Sequence, residues 1–222
     1  MNVLLIESSF KSPEFGYVRN GEFIIKKKLD SESNADSLIY EIKSEFIRTG
    51  NPFKDIEAVS LSNGPGSFTG LKIGSVIAKG ICIATGCKLI EINTLDLVAN
   101  KYPERSENLS IRAAINTNSK SREFYFADYR FEGRNINVIS DYGTGTIEEI
   151  GGGGIILVLN EKIQESFPEF TKTVDVSLLS SAEAQFRLTA RKIENNEFTD
   201  FEKSEPNYMK RFEPLKSGNK KI

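Results

Sequence analysis

Residues 62–86 read SNGPGSFTGLKIGSVIAKGICIATG, and this stretch decides how the rest of the chain is interpreted. Its first half places four turn-favouring residues within seven positions: Gly64, Pro65, Gly66 and Gly70. Such a run predicts a tight turn, because glycine adopts backbone conformations that residues with a Cβ atom resist. Ser67 or Thr69 is expected to cap a helix after the turn, and Gly86 is expected to end that helix after Thr85.

Two rows of side chains, each spaced four residues apart, run along this predicted helix. One row is apolar: Ile73, Ile77 and Ile81. The other row is small: Gly70, Gly74, Ala78 and Cys82. Small side chains permit close approach, and glycine inside a helix costs roughly 1 kcal/mol relative to alanine, so Gly74 and Gly80 are expected to serve packing. The pattern fits a helix buried against its own sheet, and it also fits a helix that joins a partner subunit.

The composition limits the classes of function. A chain of 222 residues suffices for one sizeable domain or two small lobes. Its net charge of −2 provides no overall positive field, so tight nucleic-acid binding by this chain alone is not expected. The sequence contains no histidine, which excludes His-dependent triads, Cys–His dyads and the common histidine-containing zinc sites. We therefore expect no metal site.

The sequence also predicts a cytoplasmic protein. Its two cysteines, Cys82 and Cys87, suit a reducing compartment better than a disulfide framework. The N-terminal apolar run is too short for a secretory signal and lacks a basic segment. No apolar run approaches the roughly 20 residues that a membrane span requires, so no membrane association is expected.

The elements around the quoted stretch predict an α/β fold. Val3–Ile6 is typical of a buried strand, and Asn20-Gly21 between two strand-like runs is a strong hairpin signal. The next helix is predicted to carry Leu38, Ile42 and Phe46 on one stripe. The remaining elements of this half are strand Ile56–Leu61, the helix described above, strand Lys88–Ile92 and helix Thr94–Lys101. The order is strand, hairpin, helix, strand, helix, strand.

The second half is predicted to begin after a junction at Tyr102–Ser106. Four strands are expected in it: Ser110–Ile115, Glu123–Arg130, Asn135–Ser140 and Ile155–Leu159. Ser180–Glu183 has the form of a capping box and predicts a helix to about Glu194. Residues 216–222 are polar and basic and are expected to be disordered.

Two motifs resemble those of one protein family. GPGSFTGLKIGSVIAKGI at residues 64–81 is similar to the GPGSFTGxRxGxxxAxGLA signature of the TsaB (YeaZ) family, with Lys72 where arginine is usual. EPNYMK at residues 205–210 resembles the family's EPxYLR. The resemblance is clear over roughly residues 1–130 and looser beyond them. The sequence departs from the family pattern at three positions: Glu7 for aspartate, Asn34 for histidine and Asn116 for aspartate.

The resemblance implies an actin/Hsp70/sugar-kinase (ASKHA, ribonuclease H-like) α/β fold. A complete N-terminal lobe would cover residues 1–103, a reduced C-terminal lobe residues 104–215, and a tail residues 216–222. It further implies a non-catalytic dimerisation subunit of the bacterial machinery that makes threonylcarbamoyladenosine at position 37 of tRNA. Such a subunit pairs as a heterodimer with a TsaD-type catalytic subunit, is joined by a TsaE-type ATPase, and meets tRNA only through the complex. Alone, the chain could form a homodimer instead.

The resemblance places the interface on the helix of the quoted stretch and on the helix before it. The predicted interface residues are Leu38, Ile42, Phe46, Thr69, Gly70, Ile73, Gly74, Ile77, Ala78 and Ile81. Replacing Gly74 with leucine is accordingly expected to break pairing while leaving the fold intact.

An active ASKHA ATPase or small-molecule kinase is the alternative. It would use Glu7 and the Asn63–Gly70 loop, with Gly64, Gly66 and Ser67 as candidate nucleotide contacts. The GxGxxxG spacing matches neither GxxxxGK[ST] nor GxGxxG, which counts against a nucleotide loop. A peptidase is less supported, because no histidine is present to act as a base. We expect no catalytic residue and no cofactor in this chain, with ATP or ADP and Mg²⁺ relevant only to the whole complex.

Overall fold

Two β-sheets with the same strand order form the framework of this protein. The computed structural model describes residues 1–30, 37–103, 106–116, 123–133, 135–150, 155–158 and 173–208. The strands of the first sheet are β1 (Val3–Glu7), β2 (Glu14–Arg19), β3 (Glu22–Lys28), β4 (Ala58–Gly64) and β5 (Lys88–Asn93), in the order β3-β2-β1-β4-β5. The first three strands are antiparallel, and β4 and β5 run parallel to β1.

The hairpin predicted at Asn20-Gly21 is confirmed. Both residues have positive φ, 53° and 86°, as a two-residue hairpin turn requires. The asparagine and the glycine tolerate that conformation, so this turn follows from the local sequence alone.

The second sheet consists of β6 (Ser110–Ile115), β7 (Glu123–Glu132), β8 (Asn135–Val138), β9 (Gly143–Thr146), β10 (Ile155–Val158) and β11 (Thr173–Asp175). Its order is β11-β10-β6-β7-β8. Strand β9 pairs with the first four residues of β7, and β8 pairs with the last four. The arrangement repeats that of the first sheet. Strands β6, β7 and β8 form an antiparallel meander, and β10 and β11 run parallel to β6. The sequence did not predict β9 or β11, because GTGT and a three-residue strand carry little β-signal.

The helices are α1 (Leu38–Arg48), α2 (Phe68–Thr85), α3 (Thr94–Lys101), α4 (Ile147–Ile150) and α5 (Ser181–Glu194), with a 3-10 turn at Phe53–Asp55. The predicted caps of α2 are confirmed: the Ser67 hydroxyl accepts a bond from the Gly70 amide, and Gly86 ends the helix with a φ of 73°. Ser180 caps α5 in the same way through the Glu183 amide. The sequence Ser33–Asp36 has the S-x-x-D form that predicts a capping box before α1, and these four residues lie outside the described part of the chain.

Helices cover both faces of the first sheet. The inner sides of α1 and α2 join Leu4, Ile6 and other side chains in one core cluster. Val3 and Leu5 point to the opposite face, where α5 packs together with α3. Because successive side chains of β1 point to opposite faces, the strand contributes to two cores, one on each face of the sheet.

Helix α5 belongs by its packing to the first sheet, although the sequence analysis assigned residues 104–215 to a second lobe. The Gln185 amide nitrogen donates to the carbonyl oxygens of Ile6 and Ser60, at 3.2 and 3.0 Å. The Thr189 hydroxyl lies 2.7 Å from that of Ser60. A buried polar network thus joins α5 to two strands that precede it by more than a hundred residues. The exact bounds of the two lobes remain a prediction.

Most side chains predicted to form the subunit interface lie in the core of this chain. The buried residues of the set are Leu38, Ile42, Phe46, Gly70, Gly74, Ile77, Ala78 and Ile81. Ile73 is partly buried, and Thr69 is exposed. The buried residues of the set therefore pack within the isolated chain, and their assignment to a subunit interface stays a prediction. The physical reason for this packing is the sheet, which needs the close approach that the small row of α2 provides.

The glycines of α2 differ in what surrounds them. A Cβ atom at Gly70 would overlap the carbonyl oxygen of Ser8, and one at Gly74 would overlap the Ser8 hydroxyl. Leucine at position 74 would press on β1 and on Leu61, so the expectation that Gly74→Leu leaves the fold intact is wrong. Among the described residues, a Cβ atom at Gly80 would meet nothing within 4 Å, so the packing expected of Gly80 is not found in this part of the chain.

Gly80→Ala is therefore expected to stabilise the isolated protein. Alanine fits the exposed position without contact and costs about 1 kcal/mol less than glycine inside a helix. The free energy of unfolding should rise by roughly 0.5–1 kcal/mol. Urea unfolding of the variant and the wild type measures the difference. A lower midpoint for the variant would mean that Gly80 meets a constraint within the chain.

One helix in the described part of the chain, α2, is long and apolar enough to cross a membrane by length and composition. The same test is passed by core helices of globular proteins, and 44% of α2 is buried within the fold.

Candidate functional site

The glycine turn packs directly on the end of β1. The Ser67 amide donates to the Ser9 carbonyl at 2.8 Å, and the Ser8 hydroxyl donates to the Gly70 carbonyl at 2.9 Å. Gly66 and Gly70 have no room for a Cβ atom, because Ser9 and Ser8 occupy that space. The glycines of the motif thus let the start of α2 and the end of β1 touch backbone to backbone.

Three amides of this turn bond within the chain. The Gly64 amide donates to the Thr94 hydroxyl at 3.1 Å, the Gly70 amide to the Ser67 hydroxyl, and the Ser67 amide to Ser9. A phosphate cradle requires such amides to point at the ligand. These bonds count against nucleotide contacts through the amides of Gly64 and Ser67, and the nucleotide site at Gly64, Gly66 and Ser67 stays a prediction.

Glu7 ends β1 and is almost completely buried, with 1% of its surface exposed. Its Oε1 accepts bonds from the Ser9 amide at 2.7 Å, the Ser9 hydroxyl at 2.5 Å and the Ser62 hydroxyl at 3.0 Å. Oε2 has no hydrogen-bond partner among the described residues. Burial raises the pKa of the Glu7 carboxyl, against the opposing effects of the Ser9 hydrogen bond and the Lys101 charge.

Lys101, at the end of α3, is the buried cation of this region. Its ammonium lies 3.4 Å from the Val176 carbonyl oxygen and 5.6 Å from the centre of the Phe10 ring. Burial lowers the pKa of Lys101 to about 8, although the charges of Glu7 and Glu14 favour the protonated form. A fixed ammonium here provides positive charge near Glu7 without a metal ion.

The Lys101 pKa predicts a stability change at alkaline pH. Its pKa is about 8 in the folded chain and 10.5 in the unfolded reference, so folding costs Lys101 its proton between these values. The contribution of this group is therefore complete above about pH 10.5 and is lost as the pH falls through about 8. As the pH rises through this window, the free energy of unfolding of the wild type should increase by on the order of 3 kcal/mol relative to that of Lys101→Met. Urea unfolding at both ends of the window measures it. Parallel pH curves for the two proteins would contradict this assignment, and exposed Lys54→Met is the control.

A segment near the end of the chain, residues 199–208, lies along α2, and we call it the C-terminal strap. The Thr199 amide donates to the Leu89 carbonyl at 2.8 Å, and the Asn207 amide donates to the Asn63 carbonyl at 2.7 Å. Between them, the Lys79 ammonium donates to the Ser204 carbonyl. The strap therefore runs from the start of β5 to the glycine turn.

The two family-like motifs meet where the strap ends. The Tyr208 ring lies 5.1 Å, centre to centre, from the ring of Phe68, the first residue of α2. The Lys72 ammonium lies 4.1 Å from the centre of the same Phe68 ring. GPGSFTG and EPNY, far apart in sequence, therefore form a single structural unit.

The outward sides of α1 and α2 carry large apolar side chains, and we call them the α1–α2 face. Its members are Ile39, Ile47, Val76 and Ile83, the last three each about 70% exposed. Gly80 lies between the last two on α2 and leaves open space above the helix. Beside α1 an open groove of about 350 Å³ is lined by Ile39, Ile47 and Phe53 together with neighbouring residues.

The sequence analysis missed this face, although a signal was present. Helix α2 is apolar on more than one side. Its buried residues face the sheet, whereas Val76 and Ile83 are apolar and lie on the exposed side. A helix that needs only one apolar side for its own sheet does not require these exposed residues. The excess of apolar residues around the helix indicates a second contact.

The other two departures from the family pattern, Asn116 and Asn34, do not contribute to the groups described above. The Asn116 side chain donates to the Glu123 carbonyl at 3.1 Å, which ties the two ends of the segment between β6 and β7. Asn34 lies outside the described residues. In the described part of the chain, no three His, Cys, Asp or Glu side chains are grouped so that they could hold a metal ion.

The two equivalent sheets, the helix after the glycine turn and the acidic residue at the end of β1 define an actin/Hsp70/sugar-kinase-type fold. The structure matches solved YeaZ proteins. It superposes on "YeaZ from Pseudomonas aeruginosa" with a TM-score of 0.78 at 19% identity, covering 93% of this chain and 100% of that one. A second structure, from the same organism and with similarity to peptidase YeaZ, gives a TM-score of 0.79 at 18% identity over 94% and 99% of the two chains.

The sequence comparisons identify the family. Residues 30–218 match the family model described as TsaD: tRNA N6-adenosine threonylcarbamoyltransferase. The chain is 25% identical to the tRNA threonylcarbamoyladenosine biosynthesis protein TsaB of Buchnera aphidicola over 80% of this chain and 76% of that protein. It is also 25% identical to Escherichia coli TsaB, over 59% of this chain and 55% of that protein. The chain belongs to this family, among its TsaB (YeaZ) members.

Proposed function

We propose that this protein is a non-catalytic subunit in the biosynthesis of threonylcarbamoyladenosine at position 37 of tRNA. It acts by pairing with a TsaD-type catalytic subunit and holding that subunit in its active shape. A TsaE-type ATPase joins the pair, tRNA binds only to the assembly, and the assembly is cytoplasmic. In the absence of its partner, the chain covers the same surface by forming a homodimer.

The observation that carries this proposal is the α1–α2 face. The inner sides of both helices are already buried, yet Ile47, Val76 and Ile83 remain about 70% exposed on their outer sides. Exposed apolar side chains on the outer sides of two helices that share one core cluster are typical of a protein interface. The open position at Gly80 allows a partner helix to approach α2 closely.

Support for a non-catalytic role comes from the region where related enzymes perform chemistry. The sequence has no histidine, and the amides of Gly64, Ser67 and Gly70 bond within the chain. One oxygen of Glu7 is held by three donors, and Lys101 provides the nearby positive charge. ATP or ADP and Mg²⁺ are needed by the assembly and not by this chain.

Light scattering after size exclusion tests the proposal, with this chain alone and mixed with the TsaD-type subunit of its own organism. A new peak at the heterodimer mass is expected at roughly tens of micromolar. Val76→Glu should weaken the association at least about tenfold, because it places a charge within the apolar contact. Gly80→Leu should do the same without loss of fold.

The matched control is Leu178→Glu, which places the same charge at an exposed leucine outside the α1–α2 face. It should leave the heterodimer peak unchanged. Equal association of Val76→Glu and Leu178→Glu would contradict the assignment of the surface. Absence of any complex with the wild type would contradict the subunit role itself.

An active ATPase or small-molecule kinase is the second candidate, and one observation favours it. Glu7 Oε2 is buried without a hydrogen-bond partner among the described residues, as an oxygen awaiting a ligand would be. This candidate predicts Mg-ATP turnover by the isolated chain that is lost in Glu7→Ala. No turnover above that of Glu7→Ala is expected under the subunit proposal.

A further inference from the structure

Cys82 and Cys87 form a pair of buried thiols at the C-terminal end of α2. Cys82 lies in the last turns of the helix and Cys87 directly precedes β5. Gly86, with its φ of 73°, reverses the chain between them and brings the two sulfur atoms to 3.5 Å. Both cysteines are free thiols. The proposed function uses neither of them.

The pair lies close to the surface of the chain. Cys82 lines an open cavity of about 540 Å³ that is bordered by Lys79 and Ile83 of α2 and by Phe201 of the C-terminal strap. Cys87 retains 7% of its surface exposed, whereas Cys82 retains none. The limited exposure admits a reagent the size of water or peroxide and disfavours a bulky one.

The two thiols are chemically unequal. The hydrogen bond with Cys82 lowers the pKa of the Cys87 thiol to about 7, assisted by a bond with Thr85 and by backbone amides. The same bond, together with burial, raises the pKa of Cys82. Cys87 is also the one of the two that retains exposed surface, 7% against none for Cys82, so a reagent reaches it first. The thiolate is the reactive form of cysteine, and exposure together with the lowered pKa assigns Cys87 as the nucleophile of the pair.

We propose that Cys82 and Cys87 are a redox modification site that hydrogen peroxide converts into an intramolecular disulfide. The Cys87 thiolate attacks one peroxide oxygen and breaks the O–O bond, which gives a sulfenic acid at Cys87 and, after protonation, one water. The Cys82 sulfur then attacks the Cys87 sulfur and displaces its hydroxyl, which takes the Cys82 proton and leaves as a second water. Two thiols are oxidised by one peroxide. The sulfur atoms approach from 3.5 Å to about 2.0 Å, the length of a disulfide bond.

The bond would join the last turns of α2 to the strand that follows. The closed loop is short, so little chain entropy is removed and little stabilisation is expected from it. The modification therefore acts locally, on the end of α2 that also carries Ile83. It does not depend on the proposed subunit role, since every group involved lies within this chain.

Intact-mass measurement of the full-length protein after graded hydrogen peroxide tests the proposal. Samples are then unfolded and alkylated with iodoacetamide. The wild type should change from two alkylated cysteines to none. Its mass should then lie two hydrogen atoms below that of the reduced protein before alkylation. Dithiothreitol should restore both thiols. A wild type that keeps two alkylatable cysteines, or that gains only oxygen, would overturn the proposal.

Two variants resolve the roles of the sulfurs. Cys82→Ser removes the second thiol, so the Cys87 sulfenic acid should persist and be trapped by dimedone. Cys87→Ser should leave Cys82 alkylatable after the same treatment. Dimedone labelling of Cys82 in Cys87→Ser at the rate seen for Cys87 would overturn the assigned order. The wild-type measurement decides the proposal even if a variant fails to fold.

Discussion

Gly70→Ala should lower the free energy of unfolding by about 3–5 kcal/mol. A Cβ atom at this position would overlap the backbone carbonyl oxygen of Ser8, which cannot rotate away as a side chain would. Helix α2 and the end of β1 must therefore separate, and the bonds of Ser67 and Ser8 across this contact would lengthen with them. Thermal unfolding should show a decrease of roughly 10 °C for a chain of this size.

Gly80→Ala is the matched control, because it makes the same substitution in the same helix at a position with open space. Helix propensity favours alanine over glycine, so a loss of stability at position 70 that is absent at position 80 reports the contact with Ser8. Unfolding midpoints that rise equally in the two variants would show that the turn accommodates a Cβ atom and that the motif glycine serves something other than close approach.

Glu14→Ala should be destabilising by a similar amount, about 3–5 kcal/mol. Glu14 is 3% exposed and holds the start of α5. Its Oε2 accepts from the Ser181 amide at 2.8 Å, and its Oε1 accepts from the Ser180 hydroxyl at 2.7 Å and the Ala182 amide at 3.1 Å. A carboxylate is favoured at the positive end of a helix, and its removal leaves buried donors unpaired.

Graded variants separate the hydrogen bonds from the charge. Glu14→Gln retains the shape and one acceptor oxygen, so its loss of stability should fall between those of the wild type and Glu14→Ala. Glu183→Gln alters an exposed acid in the first turn of the same helix and should have almost no effect. Urea unfolding of the three variants gives the ranking. If Glu14→Ala matches Glu183→Gln, then water replaces the carboxylate at no cost.

The features predicted correctly from sequence are those that depend on neighbouring residues. The Asn20-Gly21 hairpin and the caps of α2 at Ser67 and Gly86 follow from conformations that one or two residues prefer. The strands that flank α2 and its start and end follow from runs of apolar residues bounded by turns. The TsaB resemblance added the ASKHA-type α/β fold, which the structure confirms.

The orientation of α2 could not be predicted for a physical reason. Its small row, which includes Gly74, and its exposed residues Val76 and Ile83 are all compatible with burial, so periodicity alone does not select the side that meets the sheet. That selection depends on Ser8, which occupies the space above Gly74. The sequence placed Gly74 on a partner, whereas the packing places it on β1.

The second class of missed features depends on residues distant in sequence. Glu14 caps a helix that begins more than 160 residues later, and no local pattern links the two. The same is true of the bond between Asn207 and Asn63. Such partners are found only when the fold brings the strands and the returning chain together.

The C-terminal strap has a consequence for how the protein is made. The glycine turn and α2 are synthesised early, yet the groups that cover them, from Thr199 to Tyr208, are translated late. Helix α5, which covers the second face of the first sheet, is also translated late. A nascent chain interrupted before residue 199 would lack the groups that contact the glycine turn and α2 in the folded protein. These contacts, including the bond between Asn207 and Asn63, form only after translation has passed Asn207.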